Sequence, residues 1–160
     1  EAEPHASREQ LSLLDLIDEA AKSLSNKIKE KNLHLEVDFG NANPTILANC
    51  RQMVGALSCL LDNAIKFSPP GGVVRVIAKT AEQQITLEIS DTGIGIPALE
   101  MAYIFDRFYR GSNNPETEPG NGLGLTIART VIDHHAGRLW IDSSPDGGAQ
   151  ATIVLPAHES

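Results

Sequence analysis

Three tracts carry residues whose types and spacing could do chemistry. In CLLDNAIKF, residues 59–67, an amide and an amine interrupt an apolar run. Asn63 offers an oxygen suited to a hard cation, and Lys66, close to one helical turn later, offers a point charge suited to a phosphate. Together they could hold a metal-nucleotide, the competing reading being the solvated edge of an amphipathic helix. In ISDTGIGIP, Asp91 ends an alternating run and is followed by Gly93, Gly95 and Ile96. A carboxylate only accepts hydrogen bonds, so it can take one from an exocyclic amine such as adenine's, while bare glycine backbone lets a flat base approach. The same residues also suit an ordinary turn. In EPGNGLGLTIA, Gly120, Gly122 and Gly124 open a helical pattern, where free N–H groups and the helix dipole favour an anion. Their spacing is neither that of the dinucleotide-binding fingerprint nor that of the Walker loop.

The elements that must position these tracts are legible from periodicity. Ser12 and Asp15 resemble a capping box before apolar residues at helical spacing, so one helix is expected from there to about Lys31. LHLEVD alternates as a half-buried strand, and Asn43-Pro44 turns the chain. Asn49 can cap a second helix whose core face is Met53, Leu57, Leu60, Leu61 and Ala64. On that helix Cys59, Asn63 and Lys66 form a stripe about a right angle from the core face. VVRVIAKT and QITLEIS read as an antiparallel hairpin, and Pro97 suits the first turn of a third helix reaching about Phe108. GLGLTIARTVIDHH opens a fourth helix that Gly137 can end, and RLWIDSS and AQATIVLP close the chain as strands. Helices and strands do not alternate regularly, so an α+β layer fold is expected rather than a doubly wound parallel sheet.

Bulk properties narrow the function classes. A chain of 160 residues suits one domain, and 41% hydrophobic with 21% charged residues excludes disordered and fibrous classes. A formal net charge of -8 argues against a broad nucleic-acid or anionic-membrane footprint, so any phosphate must be bound by a local device. Cys50 and Cys59 on one helix would lie roughly 13 Å apart, beyond disulfide reach, and a reducing compartment is the simpler expectation. No apolar run has the length of a membrane-spanning helix. The chain opens on Glu rather than Met, which suggests a piece of a larger protein.

Four motifs then stand in a fixed order: CLLDNAIKF, DTGIGIP, IFDRFYRG and GNGLGL. That order, over residues 11–157, resembles the catalytic and ATP-binding domain of the bacterial sensor histidine kinases, in the superfamily shared with gyrase, the heat-shock chaperone ATPases and the mismatch-repair ATPases. The resemblance implies a two-layer α/β sandwich, with a mixed, mostly antiparallel sheet of about five strands on about three main helices. It implies Mg²⁺ and ATP as ligands, with Asn63 on the metal, Lys66 at the phosphates and Phe67 packed by the nucleotide. Asp91 would read adenine from a loop containing Gly93, Gly95 and Ile96. Phe105 and Phe108 match the family's phenylalanine box. Arg110 would reach the terminal phosphate, and the backbone of Gly122, Leu123, Gly124 and Leu125 would meet phosphate. Residues 110–121 match the mobile ATP lid, residues 1–10 a linker or the end of a preceding helical domain, and residues 158–160 a tail.

The implied activity is transfer of the γ-phosphoryl of ATP to a histidine on a separate dimerisation domain, for relay to a response-regulator aspartate, in the cytoplasm. No phosphoacceptor motif occurs here, and His5, His34, His134, His135 and His158 read as surface or helix-end residues. Cys59 stands where these kinases usually have a second Asn and the ATP-hydrolysing relatives a water-activating glutamate. A nucleotide-binding regulatory module with little or no activity is therefore the alternative. Ala151 replaces a usual Phe and Asn121 a common Thr, neither expected to touch the chemistry directly. An aspartic protease, suggested by DTG alone, would leave GNGLGL unexplained.

Overall fold

The computed structural model describes residues 7–92, 124–144 and 148–158. The expected helix from Pro97, the Phe105 and Phe108 pair, the lid of residues 110–121, Gly93, Gly95, Ile96, Arg110, Gly120, Gly122 and Leu123 lie outside them.

Strand β1 (Glu9–Ser12) leads into helix α1 (Leu13–Ser23) and a short α2 (Ser25–Glu30). The single helix expected here breaks at Leu24. The Ser23 hydroxyl donates to Ala20 O at 2.7 Å, and Leu24 turns into the core at 8% exposure. Glu9 and Gln10, expected in a linker, instead pair antiparallel with β3 (Thr45–Ala48), a small sheet that local periodicity did not reveal. Ser12 caps α1 as expected, its hydroxyl accepting from Asp15 N–H at 3.2 Å.

Helix α3 (Cys50–Phe67) buries Met53, Leu57, Leu60, Leu61 and Ala64, the five positions expected at its core face. It lies between α1 and α4 (Gly124–His134) and packs on the sheet through β5. The five-stranded sheet runs β2 (His34–Asp38), β4 (Val73–Ala81), β5 (Gln84–Asp91), β7 (Gly148–Pro156), β6 (Arg138–Ser144). Its β2–β4 pair is parallel and its other pairs are antiparallel. β4 and β5 form the expected hairpin, with Glu82 and Gln83 both at positive φ, 51° and 65°, as a tight turn matched to strand twist requires.

β2 departs from its expected half-buried pattern. Leu33 is buried just before the strand, but Val37 is 37% exposed, on a strand that forms one edge of the sheet. α4 ends in a Schellman closure, with Gly137 N–H donating to Ile132 O at 2.9 Å and Ala136 N–H to Asp133 O at 3.1 Å. The left-handed residue there is Ala136, φ 62°, and not the expected Gly137. Gly137 is needed for close approach instead, since a Cβ on it would stand 2.5 Å from Val154 O.

Candidate nucleotide site

The last two turns of α3 face the ends of three strands. Leu60, Asn63, Ala64 and Phe67 from the helix, Ile89 and Asp91 from β5, Ile141 from β6, and Ala149 and Ala151 from β7 line one recess. Cross-strand register builds its floor, with Ile89 opposite Ala151 and Ala151 opposite Ile141. Asp91 follows Ile89 by two residues and therefore shares its face. The two alanines leave open the space that larger side chains would fill.

Three sequence-predicted residues thus meet: Asn63, Phe67 and Asp91. Asp91 is the last residue of β5 and 8% exposed, so its carboxylate is buried at a strand end in the recess lining. Asn63 is half-buried, and among the described residues its amide has no hydrogen-bond partner. A half-buried amide without a protein partner is costly unless a ligand or water completes it. One amide oxygen at such an edge fits an ion that takes its remaining oxygens from phosphates and water, as Mg²⁺ does. Among the described residues no group of three or more His, Cys, Asp or Glu side chains could hold a metal by itself.

Lys66 lies in the same turn as Phe67, outside the recess lining and only partly buried. Leu125, in the first turn of α4, packs against the core, and Gly124 begins that helix. Cys59 also stands outside the recess lining and packs against the core. Burial pushes its thiol upward, Asp62 adds to the rise and Lys66 opposes it, so the neutral thiol is favoured. Both cysteines are free, as the helical spacing requires.

The sequence reading missed Ile141, Ala149 and Ala151. Ala151, expected to stand clear of the chemistry, is part of the recess wall. Strand alternation marks it as inward-facing, but only register with Ile89 brings it to Asp91's end of the sheet. His135 stands at the end of α4, as expected, but is buried rather than at the surface. It is 4% exposed, its Nδ1 lying 2.8 Å from Val131 O while Nε2 accepts from Asn49 N–H at 3.2 Å. Burial is the main cause that lowers its pKa.

Comparison with known proteins matches residues 49–159 to the family described as histidine kinase-, DNA gyrase B- and HSP90-like ATPase. The chain is 40% identical over 129 residues to the adaptive-response sensory kinase SasA of Rippkaea orientalis, covering 80% of this chain and 33% of that protein. It is 33% identical over 149 residues to the SasA of Synechocystis, covering 92% and 39%. The chain therefore spans a third or slightly more of these relatives' length. A solved mycobacterial sensor histidine kinase, MprB, superposes with a TM-score of 0.82 at 30% identity, over 96% of this chain and 99% of that one.

Proposed function

Because the chain belongs to the histidine kinase-, DNA gyrase B- and HSP90-like ATPase family, we propose that it is the ATP-binding catalytic domain of a sensor histidine kinase. It presents the γ-phosphoryl of Mg-ATP to a histidine on a separate dimerisation domain. A nitrogen–phosphorus bond forms at that histidine, the bond from the γ-phosphorus to the bridging oxygen breaks, and ADP leaves. The phosphoryl group then passes to a response-regulator aspartate. The observation that carries this reading is the recess itself, where an amide with no partner among the described residues and a buried carboxylate share one cleft between α3 and β5.

The roles follow from donor and acceptor chemistry. Asp91 accepts from the exocyclic amine of adenine, which guanine's carbonyl at the same place cannot supply. The apolar floor of Ile89 and Ile141 excludes water from the base, and Phe67 packs by the nucleotide. Asn63 holds the metal by its amide oxygen and Lys66 offers its ammonium to phosphate. Gly124 and Leu125 present N–H groups at the start of α4, where the dipole favours an anion. Gly93, Gly95, Ile96, Arg110, Gly122 and Leu123 join the site by their place in the motif order. Mg²⁺ would neutralise charge on the transferring phosphates. Chemistry of this kind asks the protein for positioning and charge stabilisation more than for covalent catalysis.

No helix among the described residues is long and apolar enough to cross a membrane. We place the domain in the cytoplasm, where ATP is supplied, with no nucleic-acid partner. Calorimetric titration with ATP, with ATP in EDTA and with GTP tests ligand choice. Binding is expected only for Mg-ATP among the three, and Asp91→Asn is expected to weaken it by about tenfold through loss of the charged acceptor. Equal binding of GTP, or an unaffected Asp91→Asn variant, would remove the adenine assignment. Labelling of a separately supplied dimerisation domain tests transfer.

A further inference from the structure

Lys31 lies outside every motif, at the C-terminal end of α2, yet its side chain crosses to the far end of α3. Its Nζ donates to Ile65 O at 3.0 Å, Lys66 O at 2.7 Å and Ser68 O at 3.1 Å. An ammonium has three protons, and here all three have carbonyl acceptors. The backbone carbonyl of Lys31 accepts from Gly71 N–H at 2.8 Å, so the residue grips the end of α3 and the loop behind it together.

The end of this helix needs an external donor for a covalent reason. Pro69 and Pro70 follow Ser68, and neither has an N–H. The closure that ends α2, where Asn32 N–H meets Lys29 O and Leu33 N–H meets Ile28 O, is thus unavailable to α3. Within the last turn, Ser68 N–H reaches Ile65 O at 3.3 Å and the Ser68 hydroxyl reaches Ala64 O at 2.8 Å. Lys66 O and Ser68 O gain their ammonium donor from Lys31. These carbonyls also form the negative pole of α3, in the turn that carries Lys66 and Phe67. A polyphosphate placed at Lys66 would meet that pole, and a cation on the carbonyls offsets the repulsion.

We propose that Lys31 is a positioning residue for nucleotide binding, its ammonium fixing the last turn of α3 and neutralising the helix pole so that Asn63, Lys66 and Phe67 meet the phosphate-bearing end of the ligand. The inference rests on the nucleotide reading of the recess. It separates phosphate from base, because Asp91 stands on β5 and does not depend on this turn.

The test uses the full chain with Lys31→Met and Lys31→Arg, titrated with Mg-ATP by calorimetry and with adenosine by NMR, after thermal unfolding shows each variant folded. Lys31→Met is expected to weaken Mg-ATP by about tenfold, as residues supporting a ligand-binding group do, with adenosine affinity within about twofold of wild type. Lys31→Arg, which keeps the charge at the pole, is expected to recover more than half of that loss. Should Lys31→Met fail to fold, Lys31→Gln carries the same comparison. A methionine variant that binds Mg-ATP as wild type does, or that loses ATP and adenosine in equal proportion, overturns the proposal, the second result marking a merely structural role. Wild-type protein that ignores Mg-ATP refutes the nucleotide reading itself, and is seen before any variant is made.

Discussion

Asn49 and Asn63 stand at opposite ends of α3 and do opposite things with the same side chain. Asn49 is saturated. Its Oδ1 accepts from Gln52 N–H at 2.9 Å, its Nδ2 donates to Ser7 O at 2.9 Å, and its own N–H donates to His135 Nε2 at 3.2 Å. Asn63 has no such partner among the described residues and faces the recess with Asp91. Saturation is how an amide serves the fold, because each bond satisfies a helix-end or loop group. An amide left open at a cleft contributes little to the fold and is available to a ligand.

The sharpest way to break this contrast is Asn63→Ala. Mg-dependent ATP affinity is expected to fall on the order of a hundredfold, about 2.7 kcal/mol, on calorimetric titration. Thermal stability should stay within about 0.5 kcal/mol of wild type, since no hydrogen bond among the described residues is lost. A variant that loses stability and keeps its nucleotide would make Asn63 structural.

Asn49→Ala should invert the result. Loss of the cap is expected to cost about 1–2 kcal/mol in urea unfolding, from the exposed donors of the first turn and the broken tie to Ser7. Nucleotide affinity, measured at a temperature where the variant is folded, should change less than twofold, because the cap lies at the far end of the helix.

Both asparagines of this contrast were legible in the sequence, but the recess that Asn63 faces was not. The core stripe of α3 and its cap are local facts, set by spacing along one helix, and Met53, Leu57 and Leu61 lie where periodicity puts them. The stripe of Asn63 and the strand-end position of Asp91 were legible for the same reason. What brings them together is register between strands distant in sequence, Ile89 against Ala151 and Ala151 against Ile141, which no short-range pattern encodes. The β1–β3 pair and the burial of His135 escaped likewise, each depending on a partner far along the chain. The break at Leu24 is a case where a buried leucine and a serine back-bond overrode helical periodicity.

A gentler probe of the saturated end is pH. His135 places Nδ1 as donor to Val131 O, and burial lowers its pKa from the usual 6.5, a shift that this hydrogen bond opposes and Arg8 and His134 reinforce. The unfolded chain therefore takes up this proton at a higher pH than the folded one. The contribution is fully present above about pH 6.5 and is lost progressively as pH falls toward the lower folded value. Chemical unfolding across pH 5 to 8 should show that decline, and His135→Gln should flatten it. A slope unchanged by the substitution would free the α4–α3 tie from any charge dependence.

The smallest effect expected concerns the end of α4, next to the same histidine. Asn32 and Ala136 both end helices in the left-handed region, at φ 56° and 62°, within the same pattern of closing hydrogen bonds. Asparagine tolerates that conformation, whereas alanine brings its Cβ close to the following carbonyl at a cost of roughly 1–2 kcal/mol. Glycine would be the usual choice, but α4 uses its glycine one position later, where a Cβ would stand 2.5 Å from Val154 O and 2.8 Å from Leu155 Cδ2. Close packing on β7 and a relaxed helix end thus ask for two adjacent glycines, and the chain supplies one, at the position where the clash would be with backbone. Ala136→Gly should therefore raise stability by about 0.5–1 kcal/mol, the relief of strain exceeding glycine's greater freedom when unfolded. Gly137→Ala should lower it by more, because Val154 O belongs to a central strand and cannot yield without disturbing its pairing with β5 and β6. Equal and opposite shifts in the two variants would show that strain at Ala136 and crowding at Gly137 are the same quantity, while a destabilised Ala136→Gly would place the closure's strain elsewhere.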